Sequence, residues 1–143
     1  MRLATLFKTY QLSGSKILVQ SAASFQMDQV QTTLVTPTYG VTVAIDCSLG
    51  TDFIITVSNA VAFAVSVPTN VPASGFTKDI TVTISNASGG AHGAITWTGG
   101  AGGFRLAGAL AAIATGTQRT IIFRWSGSVW HEVARTAADV TTA

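Results

Sequence analysis

The sequence predicts an all-β protein: an antiparallel β-sandwich or jelly-roll-like domain preceded by an extended N-terminal arm. Three observations lead there. From Tyr39 onward, apolar and hydroxyl-bearing residues alternate with period two over short runs, as they do in strands with one buried face. About eight such runs follow one another at short, even spacing, as in sandwiches and jelly rolls. Gly, Asn and Pro clusters separate them, and these are turn residues. Short connections suit hairpins between antiparallel neighbours and need no crossover helices.

Residues 1–40 read as the arm. They are rich in Gln, Ser and Thr, with a short apolar knot at Ile17–Val19. A helix from about Ser24 to Leu34 is possible, with Phe25, Asp28 and Gln29 on one face, but its apolar periodicity is weak. Such an arm either makes intersubunit contacts or packs on its own domain. Residues 41–136 read as the sandwich. "VTVAID" (41–46) places Val41, Val43 and Ile45 on one face. "FIITVS" (53–58) follows a turn at 48–52, and Asn59-Ala60 makes a tight connection. "VAFAVSV" (61–67) turns Val61, Phe63, Val65 and Val67 inward until Pro68, which cannot donate to a ladder, ends it.

A loop, "PTNVPASGF" (68–76), leads to "DITVTISN" (79–86), the cleanest strand. There Ile80, Val82 and Ile84 point in and Thr81, Thr83 and Ser85 point out. "ASGGAHG" (87–93) reads as a turn or hairpin loop, and "AITW" (94–97) as the returning strand. "TGGAGGF" (98–104) is too rich in glycine for regular structure. "LAGALAAIA" (106–114) has helical propensity from its alanines, but Gly108 interrupts it, and short extended segments fit the neighbourhood better. "QRTIIFRWS" (118–126) turns through Gly127-Ser128 into "VWHEVART" (129–136). Residues 137–143 form a tail that frays or lies on a neighbour.

Composition narrows the function. The chain has 143 residues, enough for one domain with a real core. Only 10% of them are charged, against about 25% in an ordinary soluble domain. So sparse a charge favours association. The net charge of +2 comes from scattered residues, among them Lys8, Lys16, Lys78, Arg105, Arg119, Arg124 and Arg135. Nucleic-acid binding needs a concentrated basic footprint, and there is none. No secretory leader is visible after Arg2 and Lys8. The longest apolar run, Leu106–Ala114, falls well short of the roughly 20 residues that span a bilayer. Synthesis in a cytoplasm, without membrane insertion, is the expectation.

Candidates for chemistry are few, and no catalytic residue, cofactor site or metal site is expected. Cys47 is the sole cysteine, so no intrachain disulfide can form, and it reads as a small buried apolar residue. Asp46 and Asp52 flank a turn and suit turn capping better than acid–base work. Calcium there would need a denser set of oxygen ligands. His131 and Glu132 are adjacent on a strand and point to opposite faces. His92 lies in a glycine-rich loop, and no metal-ligand spacing links it to His131. "GGAGG" (99–103) lacks the Lys-Ser or Lys-Thr and the strand–loop–helix frame of a phosphate loop. "NAS" (86–88) matches a glycosylation sequon, which matters only for a secreted chain. Trp97, Trp125 and Trp130 are either packing residues or, where exposed, platforms for sugar rings.

In their order, these pieces resemble a β-sandwich domain of tailed-bacteriophage virion structural proteins, of the capsid decoration (cement) or short appendage type. The likeness rests on Asp46 with "LGTDFIITVS", on "NAVAFAVSVPTN", on Gly75 before "DITVTISN", on "ITWTGG" and on "TIIFRWSGSVWHEV". It covers about two thirds of the chain, and each piece alone is weak. The resemblance implies a homotrimeric, non-enzymatic structural protein on the capsid exterior, bound to the major capsid protein and bridging its subunits. The alternative it implies is a short tail-fibre, spike or receptor-binding protein that recognises a host-surface glycan or protein. Only about 40 residues precede the sandwich and none form a repeat or coiled-coil shaft, which favours the cement type.

Overall fold

The computed structural model describes residues 32–142. Among them are ten strands and no helix. They are β1 (Leu34–Val35), β2 (Thr42–Val43), β3 (Asp52–Val57), β4 (Phe63–Val65) and β5 (Asp79–Asn86), then β6 (Ile95–Trp97), β7 (Phe104–Arg105), β8 (Thr117–Trp125), β9 (Trp130–Arg135) and β10 (Val140–Thr141). Most of the expected arm lies outside the described residues, and so does most of the possible helix from Ser24. Its last residue, Leu34, belongs to a strand.

The strands form two sheets. The larger runs β1-β3-β5-β8-β9-β7, with β10 also paired to β8; the smaller runs β2-β4-β6. The expectation of purely antiparallel pairing is corrected. β1 with β3, β3 with β5, β2 with β4, β4 with β6 and β7 with β9 are all parallel. Antiparallel pairing is confined to β8 with β5, β9 and β10.

Chain path explains the difference. From β2 to β7, successive strands alternate between the small sheet and the large one. A chain that crosses over and back re-enters each sheet in the same direction, so same-sheet neighbours run parallel without a helical crossover. The 87–93 loop is therefore no hairpin: it carries the chain from β5 in the large sheet to β6, whose partner is β4. Gly93 sits where that loop meets the next rung. A Cβ there would lie 2.3 Å from the Ala62 nitrogen. The expected hairpin at Gly127-Ser128 does form: the Ser126 N–H donates to the Val129 carbonyl (3.0 Å) and Gly127 has φ 94°.

Period-two burial follows the sequence pattern in the long strands. Phe53, Ile55 and Val57 of β3, Ile80, Val82 and Ile84 of β5, and Ile121, Phe123 and Trp125 of β8 are buried. They join Val43, Phe63 and Val65 of the small sheet in one cluster. Each such side chain contributes about 1.5–3 kcal/mol when withdrawn from water. Phe104 and Phe123, with ring centroids 4.7 Å apart, bring the edge of the large sheet into that cluster. The pattern fails at two strand starts. Val41 and Val61, expected inward, are 76% and 57% exposed.

The stretch from Leu106 to Gly116 is neither strand nor helix. Leu106, Leu110 and Ile113 pack on the core while the intervening alanines face out. An irregular strap leaves peptide groups unpaired, and each buried one costs free energy unless a partner is found. Here side chains supply the partners. Glu132 accepts from the Ala107 N–H (2.8 Å), and Arg135 donates to the Gly108 and Ala109 carbonyls (2.9 and 3.0 Å). Arg119 reaches the Ala111 carbonyl (3.3 Å), and Asp139 accepts from the Ala114 N–H (3.0 Å). Both peptide groups of Ile113 are held. Its N–H donates to His92 Nε2 (2.8 Å), and its carbonyl accepts from the Asn86 amide (2.7 Å).

A β-bulge makes part of this possible. β8 pairs Ile122 with Ala134 but Phe123 with Glu132, so Val133 is an extra residue. Residues three apart on a regular strand face opposite ways. The bulge resets the alternation, and Glu132 and Arg135 form an ion pair. The tail pairs within its own chain, which corrects the expectation that it frays or lies on a neighbour. β10 pairs with β8, and Asp139 binds Arg119.

Two outcomes follow for the strap. His92→Ala strands the buried Ile113 N–H and lowers unfolding stability by about 1–3 kcal/mol, measurable by urea titration; Asn86→Ala costs at least as much. Arg135 hydrogen bonding, the larger cause, and the Ala107 N–H hold the Glu132 carboxyl below its ordinary range against the opposing effect of burial. A depressed carboxylate stabilises the fold above its unfolded pKa, and that stability is lost as pH falls through the folded value. Acidification below the ordinary carboxylate range therefore lowers the protection of the Ala107 amide, read as its exchange rate relative to the intrinsic rate at the same pH, and Glu132→Gln removes that pH dependence of the protection.

Candidate interaction surface

The residues singled out for chemistry are placed as follows. Cys47 is buried. Desolvation, the dominant cause, pushes its thiol up to about 11. Asp46 caps its turn: Oδ1 accepts from the Asn70 amide (2.8 Å), the Ser48 hydroxyl (2.7 Å) and the Ser48 N–H (2.9 Å). Those bonds, the one from Asn70 above all, hold its carboxyl below the usual value. Asp52 accepts from the Thr51 hydroxyl (2.8 Å). His131 is exposed, while Glu132 is turned into the strap. Among the described residues no three His, Cys, Asp or Glu side chains converge as a metal cage would require. No helix among them is long and apolar enough to cross a membrane.

Asn86 of the sequon is 1% exposed, and its amide is spent on Gly90 and Ile113. The 99–103 glycines lead into a strand, β7, and Gly102 donates to the Ser128 carbonyl (2.7 Å). Trp125 and Trp130 are 4% and 0% exposed, with ring centroids 5.2 Å apart. Trp97, half-buried, stacks edge-on against Phe104. None of these rings offers an open platform, which favours the packing reading.

What the molecule does present is the outer face of the large sheet. Ladder register assembles it in rows. Asp52, Thr81, Ile122 and Ala134 form one row. Ile54, Thr83 and Thr120 form the next, and the Thr136 hydroxyl accepts from the Thr120 N–H (3.2 Å) to extend it. Thr56, Ser85 and Gln118 form a third. Thr83 and Thr120 share a hydroxyl–hydroxyl hydrogen bond (2.9 Å) across the middle. Charge stays at the rim, as Asp52 and as the bidentate Arg124–Asp79 pair (2.7 and 2.8 Å). A depression of about 240 Å³ lies on this face, lined by Thr120, Ile122, Ala134, Arg135 and Thr136.

The second feature is a groove of about 580 Å³ beside β2. Val35, Pro37, Tyr39, Thr42, Ala44 and Leu49 are among its lining residues. Leu34, Val41, Leu49 and Val61 are large apolar residues more than half exposed around this part of the domain. Tyr39 anchors it: the ring packs edge-on against Phe63 (5.3 Å) and the hydroxyl bonds the Asn59 side chain (3.0 Å).

No protein-family model, no curated protein and no solved structure matches this chain.

Sequence reasoning identified Thr81, Thr83 and Ser85 as an outward face. It missed the partners from β3, β8 and β9, because register is a long-range property. It also missed the groove, since Val41 and Val61 read as core.

Burial of Cys47 has a direct consequence. An aromatic disulfide reagent labels it only as fast as the domain unfolds, and denaturant raises the rate at least a hundredfold. The thiol's raised pKa means the folded state holds its proton after the unfolded state has lost it, so stability falls as pH rises from about 9 toward 11.

Proposed function

We propose that this chain is a non-enzymatic structural protein of a phage virion, a capsid decoration or cement protein that works as a homotrimer on the capsid exterior. In this reading its two sheets make a β-sandwich module whose surfaces are covered by companion chains and by the major capsid protein. The observation that carries it is the outer face of the large sheet: rows of Thr, Ser, Ile and Ala with charge only at the rim. A face whose charges lie at its margins is cheap to desolvate over its centre. Threonine hydroxyls find partners across an interface while their methyls add apolar contact. The mechanism is adhesion. Apolar area removed from water contributes roughly 25 cal/mol per Å² before association costs, and occupied sites stabilise the assembled shell by mass action. The order of sequence motifs that resembles phage virion proteins supports the biological setting.

A charge at the centre of that face tests this. Thr83→Lys buries an unpaired ammonium in any interface formed there, at a cost of about 2–5 kcal/mol. Decoration of empty shells by the full-length variant then falls at least tenfold, read as occupancy against protein concentration, while its melting transition stays near that of the parent. Undiminished occupancy refutes the assignment of this face. Binding of labelled parent protein to host cells in the absence of any virion would move the reading to a tail-fibre or receptor-binding role.

A further inference from the structure

The large sheet carries a charged row at one margin of its outer face. Register sets Asp79 of β5 opposite Arg124 of β8, Arg124 opposite His131 of β9, and His131 opposite Arg105 of β7. All four are exposed, while their chain neighbours Ile80, Phe123, Trp125, Trp130 and Phe104 are buried. The four side chains therefore share the outer face. Adjacent strands lie about 4.8 Å apart, so Arg124, His131 and Arg105 span roughly 10 Å. The next row along, Thr81, Ile122 and Ala134, belongs to the hydroxyl-rich face. A guanidinium has five N–H donors, and the Asp79 carboxylate takes only the Nε and one Nη2 donor of Arg124. Among the described residues no carboxylate engages Arg105 or His131. The chain has few to offer. Of its acids, Asp46 is held by Ser48 and Asn70, Asp52 by Thr51, Asp79 by Arg124, Glu132 by Arg135 and Asp139 by Arg119. The remaining one, Asp28, lies outside the described residues.

We infer that this row takes a carboxylate-bearing segment of a protein partner, docked across Arg105, His131 and Arg124. Charge complementarity selects the occupant. A guanidinium fork matches a carboxylate two bonds at a time, as Arg124 already does with Asp79. The imidazole between the two arginines adds a further N–H donor. Two arginines and one imidazole are too small a footprint for a nucleic-acid backbone, and the uncharged rows beside them suit a protein surface. Sequence alone hides the row, because Arg105, Arg124 and His131 are far apart along the chain and meet only through the register of β7, β8 and β9. The inference rests on the adhesive reading above and deepens it. A chain that covers the hydroxyl-rich face presents Asp or Glu at this margin, where the charge fixes its register and rejects partners of the wrong sign.

Titration of isotope-labelled full-length protein with an end-blocked tetraglutamate peptide tests this, read by NMR on the arginine Nε–H and His131 ring signals. The expected result is a saturable shift at Arg105, Arg124 and His131 at millimolar peptide, absent with tetraglutamine. Arg105→Gln keeps the melting transition of the parent and weakens the binding about threefold, the scale of an exposed ion pair. No saturable shift overturns the inference, as does undiminished binding by Arg105→Gln. A tighter response of the same signals to inorganic phosphate or to octathymidylate overturns the choice of a protein carboxylate. A response that appears only in Asp28→Asn also overturns it, because the row is then filled by the chain's own acid. The titration contains no virion, so the two readings fail separately: parent protein that binds the peptide but decorates no shell loses the virion assignment and keeps this one.

Discussion

Eight backbone groups from Ala107 to Ala114 are each held by a side chain, and that strap draws on residues from much of the described domain. The strap brings Leu106, Leu110 and Ile113 onto the core, but it has no helix or ladder to satisfy its own backbone. Its partners come from the end of β5, the loop after it, β8, β9 and the tail. Asn86 shows the economy of the device. Its Nδ2 donates to Ile113 and Gly90, its Oδ1 accepts from the Ser88 N–H and hydroxyl, and its own carbonyl accepts from Gly116. Half-satisfied polar networks cost more than apolar packing; satisfied ones select a single arrangement.

The same device draws two ion pairs off the open faces of the described domain. Arg119 with Asp139, and Arg135 with Glu132, are turned toward the strap, and Arg124 with Asp79 neutralise each other at the rim. Among the described residues these three pairs take six of the ten Lys, Arg, Asp and Glu side chains, while Arg105 stays exposed. The hydroxyl-rich face of the large sheet and the apolar groove are what remain. That link, from a structural need for polar clasps to a weakly charged surface, underlies the adhesive role proposed here.

Parallel pairing has a second consequence. Because β2 to β7 shuttle between sheets, each sheet closes on strands distant in sequence, and most of the stabilising pairs are non-local. The antiparallel end, where β8 pairs with β5 and β9, supplies the only hairpin between sequential strands among the described residues, at Gly127-Ser128. Local hairpin chemistry and long-range rungs therefore coexist in one molecule, and the bulge at Val133 lies in the hairpin, where it turns Arg135 toward Glu132.

Much of the fold was legible from residues alone, because period-two alternation is a local property. "DITVTISN" has to bury Ile80, Val82 and Ile84 on one side of any sheet, and "QRTIIFRW" has to bury Ile121, Phe123 and Trp125. The Gly127-Ser128 turn and the capping role of Asp46 were legible for the same reason: both are settled within a few residues. Strand direction was not legible. A short glycine-rich connection serves a hairpin and a crossing between sheets equally well, and the alternation of Ile, Val and Thr is the same in both. Nor was the strap, whose alanines suggest a helix while its partners lie up to 27 residues away in sequence. Sequence by itself determined which faces of the long strands avoid water; only the tertiary structure decided which strands meet and what clasps the strap, because both depend on groups brought together from distant parts of the chain.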